Sequence, residues 1–139
     1  MSDRQDIQDV LDTINSTGFP VTVMADYLGE TPPSASLQHL DGSRWAKRYV
    51  DGSGTREIPA MIWYRTSGDD TSSRLDANAA MRELADTLEA LDGLPGDVTA
   101  IQASGTPVLA ERDEGGEVWR MSLVVESHRE APRAQPSAS

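Results

Sequence analysis

Cysteine is absent from this chain of 139 residues, which excludes disulfide bridges and thiolate metal sites. Aromatic residues make up only 5% of the sequence, so we predict a small core centred on a sheet. No apolar run approaches the roughly 20 residues that cross a bilayer. The N-terminal segment also lacks the apolar stretch of a signal peptide. We therefore expect no membrane partner.

Basic charge is scarce as well. The 12 lysines and arginines are outnumbered by 23 acidic residues, which gives a net charge of -11. Specific binding to nucleic acid needs a basic surface that neutralises phosphates, so DNA and RNA are not expected as specific partners. The same excess of acid disfavours anionic membrane surfaces.

The length predicts one domain. We expect residues 1–128 to form it. Residues 129–139 consist mainly of alanine, proline, serine and charged residues, a composition typical of a disordered tail.

Two stretches have the apolar spacing of amphipathic helices. The first is predicted to run from Asp3 to Asn15, and the second to start after Thr71 or Ser72 and end before Gly93. The apolar stripe of the first helix consists of Ile7, Val10, Leu11 and Ile14. The stripe of the second consists of Met81, Leu84, Ala85, Leu88 and Leu91.

The remaining segments alternate in the way strands do. The predicted strands cover residues 21–28, 36–40, 45–50, 55–66, 98–103, 107–112 and 117–126. Glycines at the turns 51–54 and 113–116 indicate two β-hairpins. Pro59 lacks an amide hydrogen and is expected at a sheet edge or a strand start. The hairpins differ in their spacing to neighbouring elements, so the sequence alone indicates no internal repeat.

Together these elements predict an α/β fold of the α+β type. Its sheet is expected to be mixed, mainly antiparallel and about four- to five-stranded, packed against two helices.

The carboxylates show no pattern typical of catalysis. Asp3, Asp6, Asp9 and Asp12 recur every third residue of a helix, which spreads them around its solvent side. Asp69, Asp70 and Asp76 lie near the start of the second helix and could bind a divalent cation, but Asp70, Thr71 and Ser72 are better explained as capping and first-turn residues.

The other candidate groups are equally isolated. His39 and His128 are interpreted as two solvent-facing histidines. No serine lies in a Gly-x-Ser-x-Gly elbow, and none is expected to have a histidine positioned as its base. We therefore predict no catalytic residues, no cofactor and no metal. Trp45, Trp63 and Trp119 lie on predicted strands, where tryptophans serve as core or interface anchors.

Several segments occur in a distinctive order and spacing: Lys47-Arg48-Tyr49-Val50-Asp51-Gly52-Ser53, Ile58-Pro59-Ala60-Met61-Ile62-Trp63-Tyr64, Gly68, Ser73-Arg74-Leu75-Asp76-Ala77, Thr106-Pro107-Val108-Leu109-Ala110 and the Asp113-Glu114-Gly115 turn. This pattern resembles a family of long-tailed bacteriophage proteins, the minor capsid proteins or tail terminators. The likeness covers residues 45–126. Residues 31–43 depart from the pattern and are interpreted as a local insertion.

The resemblance implies a structural virion protein rather than an enzyme. Such a protein forms a ring, usually a hexamer, that caps the tail tube, stops tail polymerisation and joins the tail to head-completion or stopper proteins. Its partners would be copies of itself, the major tail tube protein and those neck proteins, with DNA passing through the channel without specific binding. It would reside at the tail-head joint of the virion, and in the host cytoplasm during assembly.

Exposed hairpins that carry aromatic residues are suitable anchors for such contacts. The candidate interface residues are Trp45, Arg48, Tyr49, Asp51, Ser53, Arg56, Trp63 and Glu114. Two alternatives stay open. One is another connector or head-completion protein, and the other, from a different class, is a small α/β domain that binds a ligand or peptide.

Overall fold

The computed structural model describes residues 3–29, 33–67, 71–91, 93–113 and 116–130. Its elements follow the order α1 (Asp3–Ser16), β1 (Val23–Ala25), β2 (Ser34–His39), β3 (Arg44–Arg48), β4 (Gly54–Thr66), α2 (Thr71–Ala90), β5 (Val98–Ala103), β6 (Val108–Asp113) and β7 (Gly116–Arg129). Two helices and a seven-stranded mixed sheet therefore confirm the α+β fold class. The sheet has more strands than the predicted four to five.

The long strands β4 and β7 form the centre of the sheet. All 13 residues of β4 pair with β7 in an antiparallel ladder. On the outer side of β4 lie β2 and β3, one after the other, and on the outer side of β7 lie β5 and β6. The short strand β1 pairs with β2 and is the parallel member that makes the sheet mixed.

The two halves of the chain repeat the same arrangement. Apart from the short strand β1, which has no counterpart in the second half, a helix followed by three strands occurs twice in the same order, α1 with β2–β4 and α2 with β5–β7. In each half the first short strand pairs with the second part of the long strand, and the second short strand pairs with its beginning. Because β4 and β7 are antiparallel, an approximate two-fold axis normal to the sheet relates the halves and passes near the Ala60–Leu123 pair.

The register of the hairpins confirms this repeat in detail. Trp45 pairs with Arg56 just as Leu109 pairs with Trp119, and a register shift follows directly in each case. These shifts are β-bulges, and the unpaired residue is an alanine in both hairpins, Ala46 and Ala110. The interpretation that the chain has no internal repeat was wrong, because the repeat lies in strand register and its sequence signal is short.

Pro59 shows how the repeat accommodates an unusual residue. It lies inside the central strand β4, not at an edge or a strand start as predicted. Its carbonyl oxygen accepts a hydrogen bond from the backbone N–H of Leu40. Leu40 follows the last residue of β2 and precedes the first residue of β3. The N–H that proline lacks would point to this same gap between the short strands, so no ladder bond is lost. Ser122, the corresponding residue of β7, accepts from Ser104 in the same way.

Both helices cover one face of the sheet. Every second residue of β4 is buried on that face, from Ile58 to Thr66, and the intervening residues are half-buried on the other face. The largest fully buried apolar side chains are Ile14, Leu37, Ile58, Ile62, Met81, Leu88, Ile101, Met121 and Leu123. Within the described residues, no helix covers the opposite face of the sheet, which we call the open face.

Several sequence-based expectations need correction. Leu91 is exposed and lies beyond the end of α2, so it is not part of the core stripe. The segment interpreted as an insertion contains β2, whose Ala35 and Leu37 are buried in the core. The predicted tail began at Arg129, but Arg129 belongs to β7, and residues 131–139 lie outside the described part of the chain.

Candidate assembly surfaces

The tip of the hairpin formed by β3 and β4 is held by its own hydrogen bonds. The backbone N–H and the hydroxyl of Ser53 both donate to the Asp51 carboxylate, at 2.9 and 2.6 Å. The backbone N–H of Tyr49 donates to the Ser53 carbonyl, and that of Gly52 donates to the Tyr49 carbonyl. The Ser53 bonds hold the pKa of Asp51 below its usual value. Asp51 and Ser53 therefore define the turn itself.

The arm of this hairpin presents cations stacked on aromatic rings. The Arg48 guanidinium lies 4.4 Å from the centre of the Trp45 ring, and the Arg56 guanidinium lies 5.5 Å from it. The Lys47 ammonium lies 5.8 Å from the Tyr49 ring. Such contacts favour a defined side-chain orientation at an exposed site. The hairpin thus forms a basic and aromatic patch that protrudes from an acidic protein.

Arg56 has a structural partner and does not belong to the free part of this patch. Its guanidinium contacts the Asp3 carboxylate of α1 at 3.4 Å. Arg129 approaches the same carboxylate at 3.1 Å and also reaches Asp6 at 2.5 Å. Burial alone would raise the pKa of Asp3. Arg56, through hydrogen bonding and charge, together with Ser43 and Arg129, outweighs burial and lowers that pKa.

Asp6 was expected on the solvent side of the first helix, and that expectation was wrong. Its side chain is completely buried beneath the end of β7, and one of its carboxylate oxygens has no hydrogen-bond partner among the described residues. A second buried carboxylate lies at the other end of β7. Glu117 pairs there with Arg74 of α2 at 2.6 Å and, more loosely, with Arg112 at 3.6 Å. Each helix is therefore fastened near its N-terminus to one end of β7.

Trp63 lies apart from the hairpin patch. It is on the open face, whereas Trp45 and Arg56 are on the helix-covered side of the sheet. Its indole N–H donates to the side-chain oxygen of Gln38 at 2.9 Å. The eight candidate interface residues thus do not form one surface: most of them belong to the β3–β4 hairpin, and Trp63 is elsewhere. Glu114 lies outside the described residues.

The second hairpin, between β6 and β7, was underestimated by sequence reasoning. Its arm exposes Val108, Leu109 and Glu111. The Val-Leu pair next to an acidic residue was visible in the sequence, yet only Glu114 was selected from this segment. The feature that identifies this arm is that β6 pairs with β7 in the same register, including the bulge, as β3 pairs with β4.

The chemical inventory of the described residues contains little that suggests catalysis. No group of three or more histidine, aspartate or glutamate side chains in this part of the chain is arranged to hold a metal ion. Asp69 and Asp70 lie outside it, so the predicted capping role of Asp70 stays a prediction. Burial, followed by the charge of Asp76, raises the pKa of Tyr64, which disfavours the phenolate that a catalytic base would need.

No protein-family model matches this chain, and no curated protein matches it either. Neither described helix is long and apolar enough to span a bilayer.

Proposed function

We propose that this chain is a tail terminator of a long-tailed bacteriophage. In this role it forms a ring, usually a hexamer, that caps the tail tube, stops its polymerisation and joins it to the head-completion proteins. The resemblance over residues 45–126 motivates the proposal. The observation that supports it best is the presence of two exposed hairpins at diagonally opposite corners of one sheet.

A ring subunit needs two different surfaces, because each copy binds its neighbour on one side and is bound on the other. The hairpins provide such a pair of surfaces. The central ladder has 13 residue pairs, and at about 3.4 Å per residue its ends lie roughly 40 Å apart. The corners are therefore separated enough to bind different copies at the same time.

The charge of the chain fits a channel through which DNA passes. At a net charge of -11, the protein as a whole repels phosphate. DNA would therefore slide through a ring of such subunits without being retained. A tail terminator of this kind would act at the tail-head joint of the virion and contact the major tail tube protein and a stopper protein.

The test is a phage in which the gene for this chain is disrupted. We expect tails of irregular and excessive length that stay separate from filled heads, as seen by negative-stain electron microscopy. Supplying the wild-type chain from a plasmid should restore tails of uniform length. Tails of normal length joined to heads in the disrupted phage would contradict the proposal.

A different connector or head-completion protein is the nearest alternative, since it would also use exposed hairpins. Binding assays separate the two. A tail terminator should bind purified tail tubes without portal complexes, whereas a head-completion protein should bind portal complexes without tubes.

A ligand-binding or peptide-binding domain is the alternative from another class. The half-buried indole of Trp63 favours it, since this ring lies in a shallow depression of the open face together with Gln38, Asp26 and Glu111. A Trp63-dependent change in fluorescence on adding a small molecule or peptide would support this alternative, and unchanged fluorescence across a broad panel would oppose it.

A further inference from the structure

The arms of the two hairpins have equivalent strand registers, but their sequences carry opposite charges. Residues 44–56 contain four basic residues and one acidic residue, whereas the equivalent residues 108–119 contain four acidic residues and one basic residue. The approximate two-fold axis places them at opposite corners of the same sheet. Glu117 is buried against Arg74, so the exposed contrast among the described side chains is between Lys47 and Arg48 at one corner and Glu111, beside Val108 and Leu109, at the other.

Part of this charge is free for an external partner. Among the described residues, neither Lys47 nor Arg48 forms a salt bridge, and Glu111 forms none either. All three side chains are exposed. Opposite charges that are not neutralised within the chain guide the encounter of two surfaces and determine which surfaces fit together.

Exposed apolar side chains accompany the charges on both hairpins. Tyr49 is 55% exposed and Val50 is fully exposed at the first hairpin, and Val108 is 46% exposed at the second. Apolar groups of this size beside complementary charges are typical of protein interfaces. Their burial would add the attraction that the charges alone do not supply.

The backbone is also available for pairing at both corners. Within the described part of the chain, β3 pairs with β4 alone and β6 pairs with β7 alone, so each strand has one unpaired edge. Unpaired edges are templates for strand addition from another chain. Neither edge is blocked by proline, since both strands lack it.

From these observations we infer that the β3 edge and its basic, aromatic hairpin bind the β6 edge and its acidic hairpin on a second copy of this chain. The contact is head to tail, because two different surfaces meet, and it leaves one free surface of each kind at the ends of any open chain of copies. Such contacts close into a ring when the rotation per copy permits it. The inference rests on the proposed function in identifying the ring with the tail cap, and it names the contact between its subunits.

The absence of cysteine permits a direct test. Ala46 and Ala110 are the exposed bulge residues of the two edges, and each can be replaced by cysteine without any other thiol in the chain. The Ala46→Cys/Ala110→Cys variant is treated with a short bis-maleimide, both in concentrated solution and on isolated capped tails. We expect a ladder of covalent dimers, trimers and larger species on a denaturing gel.

The single variants are the matched controls. Ala46→Cys alone and Ala110→Cys alone should give no dimer, because the contact joins different edges. Cross-linking within one chain does not account for a ladder, since the two corners are too far apart. Dimers from either single variant would reveal a like-to-like contact and overturn the inference. Failure of the double variant to form a ladder both in solution and on tails would overturn it as well.

Charge reversal provides an independent test of the same contact. In the double-cysteine background, Lys47→Glu or Glu111→Arg should each weaken association about tenfold, which corresponds to about 1.4 kcal/mol. The combination Lys47→Glu/Glu111→Arg should restore the ladder. Arg4→Glu, which changes the net charge as much as Lys47→Glu but lies on the exposed side of α1, should leave the ladder unchanged.

The outcomes separate this inference from the proposed function. If the cysteine variants cap tails normally but give no ladder, the contact is wrong and the tail-terminator role stands. If the ladder forms in solution but disruption of the gene leaves tails normal, the contact stands and the role is wrong.

Discussion

Arg129, the last residue of β7, reaches the fully buried carboxylate of Asp6 in the first helix at a distance of 2.5 Å. These residues are 123 positions apart in the sequence. The pair fastens the start of the chain to the end of the sheet. Because Asp6 has no access to water, its charge is compensated only by groups of the protein.

Replacing Arg129 with methionine should therefore destabilise the protein by about 3–5 kcal/mol, since an uncompensated charge would be left buried. Urea unfolding followed by tryptophan fluorescence measures the free energy of unfolding. Arg44→Met is the matched control, because the Arg44–Glu57 pair is exposed and should contribute no more than about 1 kcal/mol. The double variant Asp6→Leu/Arg129→Met should recover most of the loss. A double variant as unstable as Arg129→Met would argue against the pair.

The free energy of unfolding should decrease at acidic pH, partly because Asp3 becomes protonated. The pKa of Asp3 is lower in the folded chain than its usual value of 3.8, so the folded state favours the ionised form. The resulting stabilisation is complete above the unfolded pKa and is lost as the pH falls through the folded pKa. Urea unfolding between about pH 6 and pH 2.5 should show a smaller loss in Asp3→Asn than in the wild type. Equal pH dependence in both proteins would exclude this contribution.

Replacing glycine with alanine should affect the stability of the protein differently at Gly54 and at Gly105. A Cβ at Gly54 would overlap the backbone carbonyl oxygen of Lys47 across the hairpin, whereas one at Gly105 would meet nothing within 4 Å. Gly54→Ala should cost about 1–3 kcal/mol, since the backbone of β3 must shift. Gly105→Ala should be neutral or should stabilise the protein by up to about 1 kcal/mol. Thermal unfolding of both variants checks the difference.

Truncation of two neighbouring residues of β7 should reduce stability by different amounts, because their side chains lie on opposite faces of the sheet. Leu123 is buried beneath the helices, and Val124 is half-buried on the open face. Leu123→Ala should cost about 2–5 kcal/mol, since it leaves a cavity in the core. Val124→Ala should cost less than about 1.5 kcal/mol. Similar losses in chemical denaturation would indicate that the open face is covered in the free protein.

Much of the fold was readable from the sequence where local signals were strong. The apolar stripe of α1 and the glycines around the β3–β4 turn correctly indicated a helix and a hairpin. The first strand was overestimated, because Val21 to Leu28 has β-forming residues but only Val23–Ala25 finds a partner. Pro59 was expected at a sheet edge or a strand start, but it lies inside the central strand β4. The gap between β2 and β3 permits this position.

The candidate surfaces were harder to predict. The sequence grouped Trp45 and Trp63 together as anchors. The alternation of side chains along β4 places Trp63 on the open face. Trp45 pairs with Arg56 and therefore lies on the helix-covered face. Sequence reasoning also placed Asp6 in solvent, because the partner that permits its burial is a distant arginine. The pairing of Trp45 with Arg56 and of Asp6 with Arg129 joins residues on different elements, and local sequence patterns do not specify such pairs.

By itself, the sequence determined the helices, the hairpins, the absence of thiol chemistry and the unequal distribution of charge. These properties depend on residue type and on neighbours a few positions away. Only the tertiary structure decided that the chain is a two-fold repeat, that the hairpins lie at opposite corners and that Asp6 and Glu117 are buried. Those features arise from the antiparallel pairing of β4 with β7, which brings together residues that are far apart in the chain.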